Sequence, residues 1–149
     1  MTTTDRERDE REIANLIVRY ARLIDDGRAP EAAELFADDG SWWLGDECKA
    51  VGRNAVRALL SRRGANLART SRHVCSNLLV EVADDGTSAT SSCVLTLWRV
   101  DRDEPAPHPV AGPAPVGDYV DQFVRADAGW RIQRRELRPV FVAAPNAAA

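Results

Sequence analysis

Between Asp9 and Asp26 the apolar residues Ile13, Leu16, Ile17, Tyr20, Ala21 and Ile24 recur at intervals of three and four, which places them on one face of an α-helix. Gly27 ends that helix, and PEAAELFA, with proline at a natural first-turn position, predicts a short second one. The triplet DDG at 38–40 is a turn signal, after which SWWL is aromatic enough to form a strand. A third helix is predicted over VGRNAVRALLSRRG, with Val56, Leu59 and Leu60 on its apolar side and Gly64 as its stop.

Downstream the pattern changes. SRHVCSNLLVEVA, TSATSSCVLTLWRV, VGDYVDQFVRA and GWRIQRRELRPVFV are β-rich runs separated by turn signals such as ADDG and ADAG. Helices followed by such a meander predict an α+β domain, its helices laid over one face of a curved, mainly antiparallel sheet. With 149 residues the chain is most simply one domain, spanning 1–149. Residues 1–8, dense in charge of both signs, are expected to be a disordered N-terminus. Residues 101–117 hold five of the eight prolines and are expected to be a long inter-strand loop, and 143–149 a flexible tail.

Composition narrows the function. A net charge of −3 with intermixed signs gives no electrostatic footprint for nucleic acid or anionic lipid, and no apolar run approaches the ~20 residues that span a bilayer. The basic cluster SRRGANLARTSR, residues 61–72, reads as a solvated helix end and turn. The start of the chain lacks the apolar segment of a secretion signal, and three cysteines without CxxC spacing suit reduced thiols. A cytoplasmic protein is therefore expected. GxGxxG after a strand, GxxxxGK, HExxH and GxSxG are all absent, which removes support for dinucleotide hydride transfer, nucleotide hydrolysis and zinc proteolysis. Of two histidines, His108 lies in the proline-rich stretch, so imidazole chemistry rests on His73, just ahead of LLVEV.

The order of elements, together with Arg72, His73 and Asn77 before a strand, then Gly117, Tyr119, Asp121 and Phe123, then Gly129 to Ile132 and Arg135, resembles the SnoaL-like branch of the nuclear transport factor 2-like superfamily. The resemblance implies a cone in which a strongly bent, barrel-like sheet wraps the first helix around an apolar cavity. It covers polyketide cyclases, scytalone dehydratase, bile acid dehydratases and steroid isomerase relatives, as well as members that only bind or scaffold. In the bile-acid-dehydratase-like members a tyrosine and an aspartate five residues apart on the first helix face a histidine at the start of the meander. Tyr20, Asp25 and His73 match those positions. On a helical projection Tyr20 lies within the apolar stripe and Asp25 at its edge, with Asp26 pointing farther away.

The resemblance thus implies a cofactor- and metal-independent dehydratase, isomerase or cyclase acting through an enolate on a small apolar carbonyl compound, such as a polyketide- or steroid-like intermediate. His73 is the base, Asp25 orients it, and Tyr20 donates to the developing enolate oxygen. Dehydratase members often carry a further aspartate or histidine on the next strand, where this chain offers Cys93 and Thr96 for substrate contact. Asn77, Tyr119 and Arg135 complete the expected contacts, although Arg135 equally suits a pairing with Asp121. Trp42 and Trp43 point to opposite faces of their strand, so one at most enters the cavity. Strands apolar on both faces, as in NLLVEV, fit a homo-oligomer, dimer or trimer. Two rivals stand beside this reading. One is a non-catalytic ligand-binding protein or dioxygenase small-subunit relative; the other is an epoxide hydrolase built on Asp118 or Asp121 with Arg135.

Overall fold

A computed structural model describes residues 2–113 and 115–143 of the chain. The first helix, α1, spans Thr3–Asp25. It begins earlier than the apolar stripe, so residues 3–8 are helical where disorder is expected. Thr2 and Asp5 form a capping box that satisfies the first N–H groups, and Arg6 reaches the Val82 carbonyl at 2.8 Å and Asp84 at 2.9 Å. Ile13, Ile17, Tyr20 and Ile24 are buried as the periodicity predicts. Each such side chain contributes about 1.5–3 kcal/mol. Gly27, at φ +76°, turns the chain into the left-handed conformation that stops the helix.

The PEAAELFA segment forms a 3-10 helix, Ala29–Leu35, whose alanines Ala29, Ala32 and Ala33 are fully buried. Strand β1, Phe36–Leu44, follows directly. The DDG signal is therefore not a turn but an irregular stretch of this strand. Asp38 and Asp39 face solvent, and Gly40 is pressed so close to the backbone at Ile132 that a Cβ would lie 2.8 Å from the Ile132 carbonyl oxygen. A hairpin through Gly45 leads into β2, Glu47–Val51, an element without a periodic signal in the sequence. Helix α2, Arg53–Gly64, and strands β3 (Arg69–Val82), β4 (Ser88–Asp101), β5 (Val116–Ala126) and β6 (Gly129–Phe141) complete the fold.

The strands form one open, mixed sheet in the order β2-β1-β6-β5-β4-β3. The meander from β3 to β6 is antiparallel, whereas β1 runs parallel to β6. Residues 102–115 link β4 to β5, a shorter segment than the expected 101–117 because Asp101 ends β4 and Val116 and Gly117 begin β5; the expected tail, 143–149, lies, beyond residue 143, outside the described residues. Register lines up Trp42, Arg135, Asp121 and Ser91 as one rung across the inner face. Gly117 opens β5 beside a register shift, and the Arg138 carbonyl oxygen occupies the space a Cβ would need. Gly117→Ala is expected to cost about 1–3 kcal/mol, read as a lowered urea midpoint with unchanged slope.

Candidate active site

Strand β3 presents Ser71, His73 and Cys75 on its inner face by simple alternation, and α1 crosses that face with its last turn. This brings Asp25 against His73. Asp25 Oδ1 stands 2.6 Å from His73 Nδ1, and Asp25 Oδ2 accepts the His73 backbone N–H at 2.7 Å. Ser71 Oγ donates to Asp25 Oδ1 at 2.8 Å, and Arg63, from the last turn of α2, donates to Ser71 Oγ at 2.9 Å. The two side chains are nearly sealed, His73 at 5% and Asp25 at 8% exposure.

A carboxylate on Nδ1 holds the neutral ring with its proton on that nitrogen, which leaves the Nε2 lone pair available. Among the described residues Nε2 makes no hydrogen bond, and it is not cut off from solvent. Burial pushes the Asp25 carboxyl up, but the hydrogen bonds from the His73 ring and backbone, the histidine charge and Ser71 outweigh it and hold the group below the usual carboxylate range. A depressed folded-state value means that its stabilisation is complete above the unfolded value, ~3.9, and is lost as pH falls through the folded value. The urea midpoint is accordingly expected to fall less between pH 6 and pH 3 in Asp25→Asn than in the parent protein.

Tyr20 lies about 140° around α1 from Asp25 and faces the sheet's inner rung. Its hydroxyl accepts from Trp42 Nε1 at 3.1 Å, and no acceptor takes its own proton among the described residues. Burial raises the Tyr20 pKa, opposed chiefly by the nearby Arg135 guanidinium, so the phenol stays a donor. Tyr119, also buried on the inner face, is raised well above its ordinary value by burial and by Tyr20. Arg135 stacks on both rings, 4.1 Å from the Tyr20 centroid and 4.4 Å from that of Tyr119. It pairs with Asp121 through two hydrogen bonds of 2.9 and 2.6 Å.

The other expected contacts divide by face. Cys93 points inward and is buried, and the neighbouring Cys75 thiol together with burial pushes its own thiol well above the ordinary range. Thr96 alternates with the buried Leu95 and Leu97 and so lies on the outer face, away from the candidate site. Trp43 also faces outward, under the Arg134 guanidinium at 3.8 Å. Asn77 sits exposed in a β3 bulge at φ 53°, a conformation asparagine tolerates. Asp118 alternates with the inward Tyr119 and Asp121, so of the two aspartates named for the epoxide hydrolase reading Asp121 is the one that shares the inner face with Arg135, to which it is paired.

An open groove of about 420 Å³ runs between α1 and β3, walled by Val18, Ala21, Arg22, Asp25, His73 and Cys75 among others. Tyr20 is not in its wall. The groove therefore reaches the His73–Asp25 pair from the strand edge, whereas Tyr20 and Tyr119 pack on each other and on Arg135 in the interior. Ser71 and Arg63 are the residues that sequence reasoning missed. Period-two alternation with His73 marks Ser71; for Arg63 there is no local signal, because the contact crosses from α2 to β3. Among the described residues, no three of His, Cys, Asp and Glu are grouped to hold a metal ion, and no helix is long and apolar enough to cross a membrane.

An α+β fold whose first helix is laid over a bent mixed sheet, with a histidine–carboxylate pair between them, defines a recognisable class. The chain belongs to the SnoaL-like domain family, whose profile matches residues 5–136. It is similar to an NTF2-like protein with a cystatin-like fold from Novosphingobium aromaticivorans, at 30% identity and a TM-score of 0.74, covering 94% of this chain and 86% of that one. A Mycobacterium tuberculosis protein of unknown function is 26% identical with a TM-score of 0.75, covering 100% of this chain and 85% of its own. A proposed scytalone dehydratase from N. aromaticivorans is 25% identical with a TM-score of 0.76, covering 99% of both chains. No curated protein sequence matches the chain.

Proposed function

We propose that the protein is a cofactor-independent acid–base enzyme, a dehydratase, isomerase or cyclase, acting through an enolate on a small apolar carbonyl compound. The observation that carries this reading is the Asp25–His73 contact, 2.6 Å on Nδ1 with Nε2 left unbonded. His73 Nε2 removes a proton from the carbon beside the carbonyl, and the electron pair moves onto the carbonyl oxygen. Asp25 keeps the ring in the required tautomer and stabilises the imidazolium that forms. Tyr20, whose proton has no other acceptor, donates to the enolate oxygen from the interior side. Return of the proton to a leaving hydroxyl gives dehydration, and return to another carbon gives isomerisation. Attack of the enolate carbon on a second carbonyl gives ring closure. No step needs a metal or a redox group.

Likeness to the proposed scytalone dehydratase supports the dehydratase branch of this reading. The test is solvent-deuterium exchange at the α-carbon of 2-tetralone, a flat bicyclic ketone, followed by proton NMR. Accelerated exchange that depends on His73 supports the enolate mechanism. Exchange no faster than in buffer favours a binding protein, a reading supported by the closely filled rung of Trp42, Tyr20, Arg135 and Asp121.

A further inference from the structure

Strand β3 ends the sheet and, among the described residues, pairs only with β4, so every second residue turns its backbone N–H and C=O away from the sheet. Three contacts fix which residues these are. The Arg69 N–H donates to the Asn66 carbonyl at 3.2 Å, the Ser71 carbonyl accepts from the Arg72 guanidinium at 2.7 Å, and the His73 N–H donates to Asp25 at 2.7 Å. Across the ladder, Leu97 stands opposite His73 and sends its own N–H the other way, to the Pro115 carbonyl at 3.0 Å. The pairing runs without a shift from Arg69 to Ser76. The next outward N–H is therefore that of Cys75.

Cys75 walls the same groove as His73 and Asp25, and among the described residues nothing accepts its N–H. The outward N–H of His73 meets a carboxylate from the last turn of α1, so outward at this part of β3 means into the groove. Asp25 Oδ1 holds both Ser71 Oγ and His73 Nδ1; the Nδ1 side of the ring thus faces the start of β3, and Nε2 is turned away from it. Two positions along a strand span about 6.7 Å. A carbonyl compound bridges that interval. Its α-carbon stands about 3–3.5 Å from the base, its oxygen about 2.4 Å farther, and a hydrogen bond adds about 2.9 Å. Tyr20, by contrast, is absent from the groove's wall.

We propose that the backbone N–H of Cys75 is a second oxyanion donor of the site, binding the enolate oxygen from the strand edge while Tyr20 serves it from the interior. The proton passes from the α-carbon to His73 Nε2, the electron pair moves to the carbonyl oxygen, and the charge formed there meets the Cys75 N–H. The assignment rests on the enolate reading, and backbone variants at position 75 separate the two.

Cys75→Ala keeps the N–H and sets the reference rate. Cys75→Pro removes it, and an edge strand accommodates proline where the N–H faces out. An L-lactate unit at position 75 removes it too, turning the amide into an ester while keeping the methyl side chain of the alanine variant. Relative to Cys75→Ala, each is expected to lower kcat for α-proton exchange of 2-tetralone by about 100- to 1,000-fold, the range of one oxyanion donor, with KM within about twofold. The urea midpoint of the lactate variant should match that of Cys75→Ala, because the N–H has no partner among the described residues. Equal kcat in the alanine and lactate variants would overturn the assignment and leave the enolate reading standing. So would a rise in KM that accounts for the whole loss, or a lowered urea midpoint in the lactate variant, which would mark the N–H as a structural hydrogen bond. Exchange no faster than in buffer for the parent protein would remove the enolate reading and this donor with it.

Discussion

His73→Gln is expected to slow α-proton exchange of 2-tetralone by about 100- to 10,000-fold, the usual contribution of a positioned general base. Glutamine keeps a polar side chain of similar reach but cannot take up a proton near neutral pH. The fold should survive the change. Asp25 would retain Ser71 and the backbone N–H of residue 73, two of the three donors that now hold it. Far-ultraviolet circular dichroism and an urea midpoint near that of the parent protein would confirm that only chemistry is lost. Asp25→Asn offers the complementary case. An amide can present its oxygen or its NH₂ to Nδ1, and if it presents the NH₂ the imidazole proton is driven to Nε2, where the lone pair is needed. The loss should therefore be of similar order, without loss of binding. Exchange at the parent rate in His73→Gln would remove the histidine from the chemistry and leave the protein a ligand binder.

The elements that the sequence announces are those whose signals are local. The stripe from Ile13 to Ile24 specifies α1, and alternation along β4 places Cys93, Leu95 and Leu97 on one face. Strand β2 escapes notice because ECKAV is a short edge strand with only Ala50 buried, so no alternation is imposed on it. The N-terminal turns of α1 escape for a different reason. Their stability comes from a cap and from Arg6 contacts with residues more than seventy positions away, not from apolar periodicity. The parallel pairing of β1 with β6 is likewise a long-range choice that neither strand's pattern records.

The candidate site shows the same division. Residue-by-residue resemblance was enough to bring Tyr20, Asp25 and His73 together as a hypothesis, and the structure sets Asp25 on His73. Their separation around α1 carries a further consequence. Tyr20 and Asp25 leave α1 about 140° apart, Asp25 towards β3 and Tyr20 towards Trp42 and Arg135, so a substrate that touches both His73 and Tyr20 must lie under the last turns of α1. Arg63 was hidden inside a basic run that reads as a solvated helix end, because nothing in RRG indicates which arginine turns inward.

Asp121→Asn is expected to be among the most destabilising single substitutions in the chain, at about 3–5 kcal/mol. Asp121 and Arg135 are both fully buried, and the neutral amide would leave the guanidinium without the one anion that pairs with it among the described residues. One nitrogen of that guanidinium, Nη1, already lacks a partner, so the remaining contacts are the faces of Tyr20 and Tyr119. Measured against a typical domain stability of about 5–15 kcal/mol, the loss could leave a large unfolded fraction, and urea unfolding at low temperature is the appropriate measurement. The double variant Asp121→Leu with Arg135→Met removes both charges and should recover most of the stability, since a well-packed apolar pair can replace a buried ion pair without loss. That variant also separates folding from function. Arg135 lies against the ring of Tyr20, which Trp42 holds by its hydroxyl; a stable double variant with slowed exchange would show that the ion pair positions the enolate donor. A stable double variant with unchanged exchange would confine the pair to folding and leave Tyr20 held by Trp42 and its aromatic neighbours alone.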